Sequence, residues 1–151
     1  MYSDNEIQEY GRSLYQRRGF GFQIKRVIKS FHDWRPEKKK CHENVLKFCA
    51  REKGCTQIRG WLYLDYGNDN EVSMALSLTR PFVEFLAHSI VQLNDGNFCD
   101  ITPVEDLAGN YPFIIAVESK EKFVSHIATS HIQKLRYELS TAAISINPLT
   151  F

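Results

Sequence analysis

A cysteine and a histidine stand side by side in "KKKCHENVLKFCAREKG", residues 38–54, directly behind three lysines. Cys41, Val45 and Cys49 recur at i, i+4 and i+8, so Cys41 heads the buried stripe of an amphipathic helix. A thiol in that place is covered by protein on one side and open to a cleft at its tip. The thiolate is the nucleophile, and a helix N-terminus and the charge of Lys38, Lys39 and Lys40 both favour it. The helix start decides how strongly. Pro36 is a good first helical residue, and a helix beginning there leaves Cys41 in the second turn, where the terminal field has largely faded. His42 points about 100° away from Cys41 on a helix and reads as a neighbour rather than as the base.

A thiol nucleophile wants a histidine base, and the histidine wants a carboxylate or amide to fix its tautomer. "EFLAHSIVQLNDGNFCDITP", residues 84–103, reads as two strands around the hairpin signal "NDGN". Loop length decides whether His88 and Asp100 meet. A two-residue Asp95-Gly96 loop sets them on opposite faces. A three- or five-residue loop sets them directly or diagonally adjacent on one face, about 4.5–8 Å apart at Cβ. Ile90 shares that face, with Phe85, Val91 and Leu93 on the other.

The elements that must hold these residues change character along the chain. Ile7, Tyr10, Leu14 and Tyr15 recur at helical spacing between Asn5 and about Arg18. Phe20, Ile24, Val27, Ile28 and Phe31 predict a second helix over Phe22–Phe31, with Gly19 and Gly21 separating the two. The third, bearing Cys41, runs to Glu52 or Lys53 and stops at Gly54. "TQIRGWLYLDYG", "EVSMALSL", "VEFLAHSIVQL", "NFCDITP" and "PFIIAVE" then read as strands. "KEKFVSHIATSHIQKLRYEL" returns to helical period through Phe123, Ile127, Ala128, Ile132 and Leu135. The fold class is α+β: N-terminal helices, a central, mainly antiparallel sheet and a C-terminal helix, in one domain over residues 1–151.

The chain has 151 residues, with 43% apolar and 25% charged residues, an ordinary globular balance. It shows no apolar run near the roughly 20 residues that cross a bilayer and no signal-peptide pattern. Four cysteines without CxxC spacing predict reduced thiols, so a cytoplasmic protein is expected. Residues 1–55 hold 13 Lys/Arg against 7 Asp/Glu, and the remainder is acidic. Without a nucleic-acid-binding module, that polarity reads as two halves that pack or solvate.

The order Cys41, His88, Asp100 resembles the transglutaminase-like branch of papain-fold cysteine enzymes. The nucleophile helix is "CHENVLKFCAREKG", the following glycine-aromatic strand carries "RGW", and "AHSIVQLNDGNFCDITP" supplies the histidine strand, hairpin and Asp-x-Thr-Pro close. The match covers about residues 36–117. Its Cys-His-x-Asn opening is also similar to small uncharacterised bacterial proteins. Val91 and Phe98 stand where the family usually has tryptophans, and the glycine usual before the cysteine is absent. The resemblance implies a papain/transglutaminase-like fold and acyl transfer through a thioester on a protein, peptide or small amide substrate, with no cofactor. Cys41 is then the nucleophile, His88 the base and Asp100 its orienter. The Cys41 backbone N–H serves as oxyanion donor, with Trp61 Nε1–H as a second. Asn44 either hydrogen-bonds in the cleft or faces solvent.

Two other readings compete. Zinc accepts the ligand types of Cys41, His42, His88 and Cys99, though nothing has finger-like or HExxH spacing and Cys99 should face away from Asp100. A binding module is the other: "RRGFGFQIKRVIKSF" interleaves Arg17, Arg18, Lys25, Arg26 and Lys29 with Phe20, Phe22 and Phe31, as a surface for nucleic acid or an acidic partner would. His126 and His131, five apart on a helix, make a poor metal pair.

Overall fold

A computed structural model describes residues 4–65, 82–104, 111–124 and 134–139. It is α+β. Helix α1 is Asp4–Gln16 and is followed by a 3-10 turn, Arg18–Phe20; helix α2 is Cys41–Arg51. The strands are β1 (Thr56–Leu64), β2 (Phe82–Gln92), β3 (Phe98–Cys99), β4 (Phe113–Ile115) and β5 (Lys134–Glu138). All their pairings are antiparallel. β2 pairs along its length with β1, whose other edge carries β4. β3 and β5 therefore share the second edge of β2, β3 at Val91 and Gln92 and β5 at residues 82–86. Between them, residues 87–90 of β2 lack a strand partner on that edge among the described residues.

Alternate residues of β2 build the core. Val83, Phe85 and Ala87 pack with Leu14 of α1, Trp61, Ile114, Phe123, Leu135 and Tyr137. Val91 packs with Val45 and Phe48 of α2, Cys99 and Ile101. Both helices thus lie on the odd-numbered side of β2, since successive strand residues point to opposite faces. Gly11 of α1 lets Tyr137 approach: an added Cβ would meet that ring at 3.1 Å.

Two expected elements differ. The segment 22–31 is not helical. Phe22 exchanges backbone hydrogen bonds with Phe113, while Val27 N–H donates to Asp100 O and Asp100 N–H to Lys25 O, each at 2.9 Å. The same residues satisfy a period of two as well as 3.6 (Phe20, Phe22, Ile24). The free edges of β3 and β4 offered backbone partners that an isolated helix would not need. At the other end, residues 120–124 are helical but Lys134–Glu138 is strand β5. There Leu135 and Tyr137 point inward and Lys134, Arg136 and Glu138 outward, a strict alternation. Of the two helix starts the sequence left open, α2 takes the one at Cys41 rather than Pro36. The strand expected over "EVSMALSL" lies outside the described residues, as do His126 and His131.

Candidate active site

The turn before α2 sets the cysteine in place. Lys39 adopts φ 63°, the left-handed region that a branched backbone resists and glycine tolerates. Asn44, 2% exposed, holds this turn. Its Oδ1 accepts the Glu37 N–H at 3.0 Å and its Nδ2 donates to Glu37 O at 2.7 Å. The same Nδ2 reaches Thr102 Oγ1 at 3.2 Å, tying the turn to the strand that bears Asp100. Lys40 occupies the N-cap position without a side-chain cap, and the first helical bond runs from Asn44 N–H to Lys40 O. Cys41 is therefore the first helical residue, where backbone N–H groups have no intrahelical acceptor and the helix field is strongest.

The hairpin has the five-residue loop that puts histidine and aspartate on one face. β2 and β3 pair Val91 with Cys99 and Gln92 with Phe98, leaving residues 93–97 as the loop. His88 Nε2 and Asp100 Oδ2 lie 2.6 Å apart, both side chains buried. Asp100 is held at every point. Arg26 Nη2 donates to Oδ2 at 3.3 Å, and the Thr102 N–H donates to Oδ1 at 3.0 Å. Arg26 Nε also donates to Thr102 O at 3.1 Å, so one guanidinium bridges the ends of the Asp-x-Thr turn. Phe113 packs edge-on against the His88 ring, centroids 6.3 Å apart.

Consecutive residues of β2 meet consecutive residues of α2. Cys41 interacts with His88, while His42 Nδ1 is 2.5 Å from Ser89 Oγ. His88 and Ser89 point to opposite faces, so the first turn of α2 sits at the unpartnered edge of β2 and reaches both. Asp100 occupies Nε2 of His88, which leaves Nδ1 as the nitrogen for the thiol.

Electrostatics follow from this packing. Burial alone would raise the Cys41 pKa; hydrogen bonds from His42 and His88, with the charge of His88, overcome it and bring the thiol down to about 6. Burial also opposes charge on His88, but Asp100, then Cys41, hold its pKa up at about 9. Asp100, despite its burial, is lowered by His88, the Thr102 N–H and Arg26. At neutral pH the site is a thiolate–imidazolium pair backed by a carboxylate, titrating as a unit. The other thiols go the opposite way: burial pushes Cys49 up to about 11 and raises Cys55 and Cys99. Iodoacetamide labelling across pH 5–9 is therefore expected to modify Cys41 first, with a midpoint near 6. Equal profiles at all four cysteines would remove the nucleophile.

Comparison with known proteins yields no relative. No family model matches the chain, and no curated protein or solved structure matches it. The site must be read from its own geometry.

Two expected cleft residues lie elsewhere. Trp61 is 2% exposed in the α1 core, and its Nε1–H donates to Tyr10 Oη at 3.0 Å. It pairs with Ala87, whereas its neighbour Gly60 pairs with His88, so the tryptophan is on the far face of the sheet from the imidazole. Asn44 neither lines a cleft nor faces solvent; it is the buried clasp just described. Cys99 packs in the Val45–Phe48 cluster, away from His88, and no group of three or more His, Cys, Asp or Glu suited to a metal occurs among the described residues. Of the basic stretch, three arginines are bonded within the protein: Arg17 to Ile115 O at 2.6 Å, Arg18 to Tyr15 O at 2.8 Å and Arg26 to Asp100. No helix among the described residues is long and apolar enough to cross a membrane.

Sequence reasoning missed Arg26, placed on a helix that does not form, and Ser89, which alternation puts behind His88. It also missed what the Asp-x-Thr spacing does in this hairpin. The spacing lets the carboxylate accept the N–H two residues on, an Asx-turn readable from the sequence itself.

Proposed function

We propose that the chain is a cysteine-nucleophile acyl-transfer enzyme with a Cys41-His88-Asp100 triad, of transglutaminase-like type, acting on an amide or peptide bond. The observation that carries this reading is the 2.6 Å His88–Asp100 contact facing a thiol at the first residue of a helix. The Cys41 thiolate attacks the carbonyl carbon; a C–S bond forms and the carbonyl electron pair moves to oxygen. Collapse of this intermediate expels the amine, which takes its proton from His88⁺, and leaves a thioester. Water as acceptor makes the enzyme a peptidase, amidase or deamidase; an amine makes it a transglutaminase. Asp100 fixes the His88 tautomer and stabilises the imidazolium. A cytoplasmic setting belongs to the same proposal, since all four thiols are free and this chemistry needs Cys41 reduced.

Incubation with p-nitrophenyl acetate, acid quench and peptide mapping tests it. An acetyl thioester at Cys41, absent from Cys41→Ala, is expected. Its rate should rise through pH 6 and level off, because nitrophenolate leaves without a proton. A peptide amide should instead give a bell, falling above about pH 9 as His88 loses the proton the amine requires. Acetylation spread equally over Cys41 and Cys55 would sink the proposal.

A further inference from the structure

With Trp61 committed to Tyr10, the oxyanion needs another donor beside the Cys41 N–H. A chain of hydrogen bonds on the odd-numbered side of β2 points to one. Arg59 Nη2 and Gln57 Oε1 are 2.6 Å apart. Arginine only donates, so the amide oxygen of Gln57 must face it and the amide nitrogen must face Ser89. Gln57 Nε2 donates to Ser89 Oγ at 3.1 Å. Ser89 is fully buried, and its one proton has the His42 Nδ1, 2.5 Å away, as its acceptor among the described residues. The His42 ring therefore carries its own proton on Nε2. That Nε2 is buried and meets no nitrogen or oxygen partner among the described residues, while the ring interacts with the Cys41 thiol. The ring is steadied by an edge-on contact with Phe123, centroids 6.1 Å apart. A buried, oriented ring N–H with no nitrogen or oxygen partner, beside the Cys41 sulfur, is what a preorganised oxyanion donor requires.

We propose that His42 is a catalytic residue of this site: a neutral imidazole, held by the Arg59–Gln57–Ser89 relay, that donates its Nε2–H to the oxyanion formed when Cys41 attacks a carbonyl. The inference rests on the acyl-transfer reading above. His42 takes no proton and gives none; as the carbonyl electron pair moves onto oxygen, the Cys41 N–H and His42 Nε2–H receive it. His88 remains the proton carrier. The two histidines thus divide the work by tautomer, one set by a carboxylate and the other by a serine hydroxyl.

Two reactions of one thiol separate this role from the nucleophile itself. Alkylation by iodoacetamide passes through no oxyanion; acylation by p-nitrophenyl acetate does. Both rates are measured across pH 6–10 and compared on their high-pH plateaus, because removing His42 also raises the Cys41 pKa. His42→Phe is expected to slow acylation about 10²- to 10³-fold while changing alkylation only a few-fold. His42→Gln, which keeps an N–H near the Nε2 position, should restore part of the loss. Ser89→Ala, which frees the tautomer, should slow acylation less than His42→Phe does. In the wild type, ring nitrogen NMR should find His42 protonated at Nε2 and bare at Nδ1, a readout independent of any variant's folding. A proton on Nδ1, or an acylation-to-alkylation ratio unmoved by His42→Phe, overturns the role. Wild-type Cys41 slow toward both reagents would instead overturn the acyl-transfer reading.

Discussion

Asp100→Asn is expected to lower Cys41-dependent amide turnover by about 10³- to 10⁴-fold while the domain still unfolds cooperatively. The asparagine oxygen can keep the Thr102 N–H bond made by Oδ1, so the Asx-turn survives. Its amide nitrogen then replaces Oδ2, turning N–H groups toward both His88 Nε2 and Arg26. His88 can accept that N–H only by moving its own proton to Nδ1, the nitrogen the thiol needs. The base is then in the wrong tautomer, and nothing stabilises the imidazolium. Cys41 should also alkylate with a midpoint above its wild-type value near 6, since the cation that lowers it is gone. Loss of the carboxylate costs stability as well, about 1–3 kcal/mol for the buried charge-assisted partners. That cost has a pH signature. Asp100 is depressed in the folded chain, so its contribution is present above its unfolded pKa of about 4 and is lost as pH falls through the folded value. The stability gap between wild type and variant should therefore narrow in acid. Amide turnover within ten-fold of wild type would refute the role given to Asp100.

Gly60→Ala should be the most damaging single-methyl change in the described chain, destabilising it by about 3 kcal/mol, at the upper end for overpacking. Gly60 pairs with His88 on one side and Ile115 on the other. A Cβ there would lie 2.2 Å from Ile114 O and 2.6 Å from Phe113 Cζ. The first is backbone of β4 and cannot swing aside. The second is the ring that supports His88. Relief requires β4 to move off β1, loosening Phe113 and with it the imidazole. Urea unfolding measures the stability, and Cys41 alkylation reports the site in molecules still folded. Gly11→Ala is the control. Its new methyl meets the Tyr137 side chain at 3.1 Å, which a shift of a few tenths of an ångström relieves, and the helix gains about 1 kcal/mol in propensity. Near-neutral values for both variants would refute the steric role given to Gly60.

Local pattern was enough for the elements whose apolar period has one solution. The α1 stripe of Ile7, Tyr10 and Leu14 folds as read, and α2 ends in the turn where Gly54 takes φ 81°. β1 and β2 follow their apolar runs. Cys41, His88 and Asp100 could be singled out because a thiol nucleophile with a base restricts residue types and the hairpin restricts their spacing, and the structure brings the three together. Periodicity failed where two periods fit the same residues. Phe22–Phe31 and Lys134–Glu138 both carry helix-compatible stripes, and each was decided by strands far away in sequence that supplied backbone partners. The hairpin register was equally undecided: loops of two, three and five residues all fit "NDGN", and only the packing of Val91 and Cys99 beneath α2 selects the five-residue one. The supporting shell could not be read at all. Arg26 reaches Asp100 only because its segment is extended, and His42 meets Ser89 only because α2 begins at an unpartnered stretch of β2. Residue type and spacing name the groups that can react; contacts between segments distant in sequence decide which proton sits on which nitrogen.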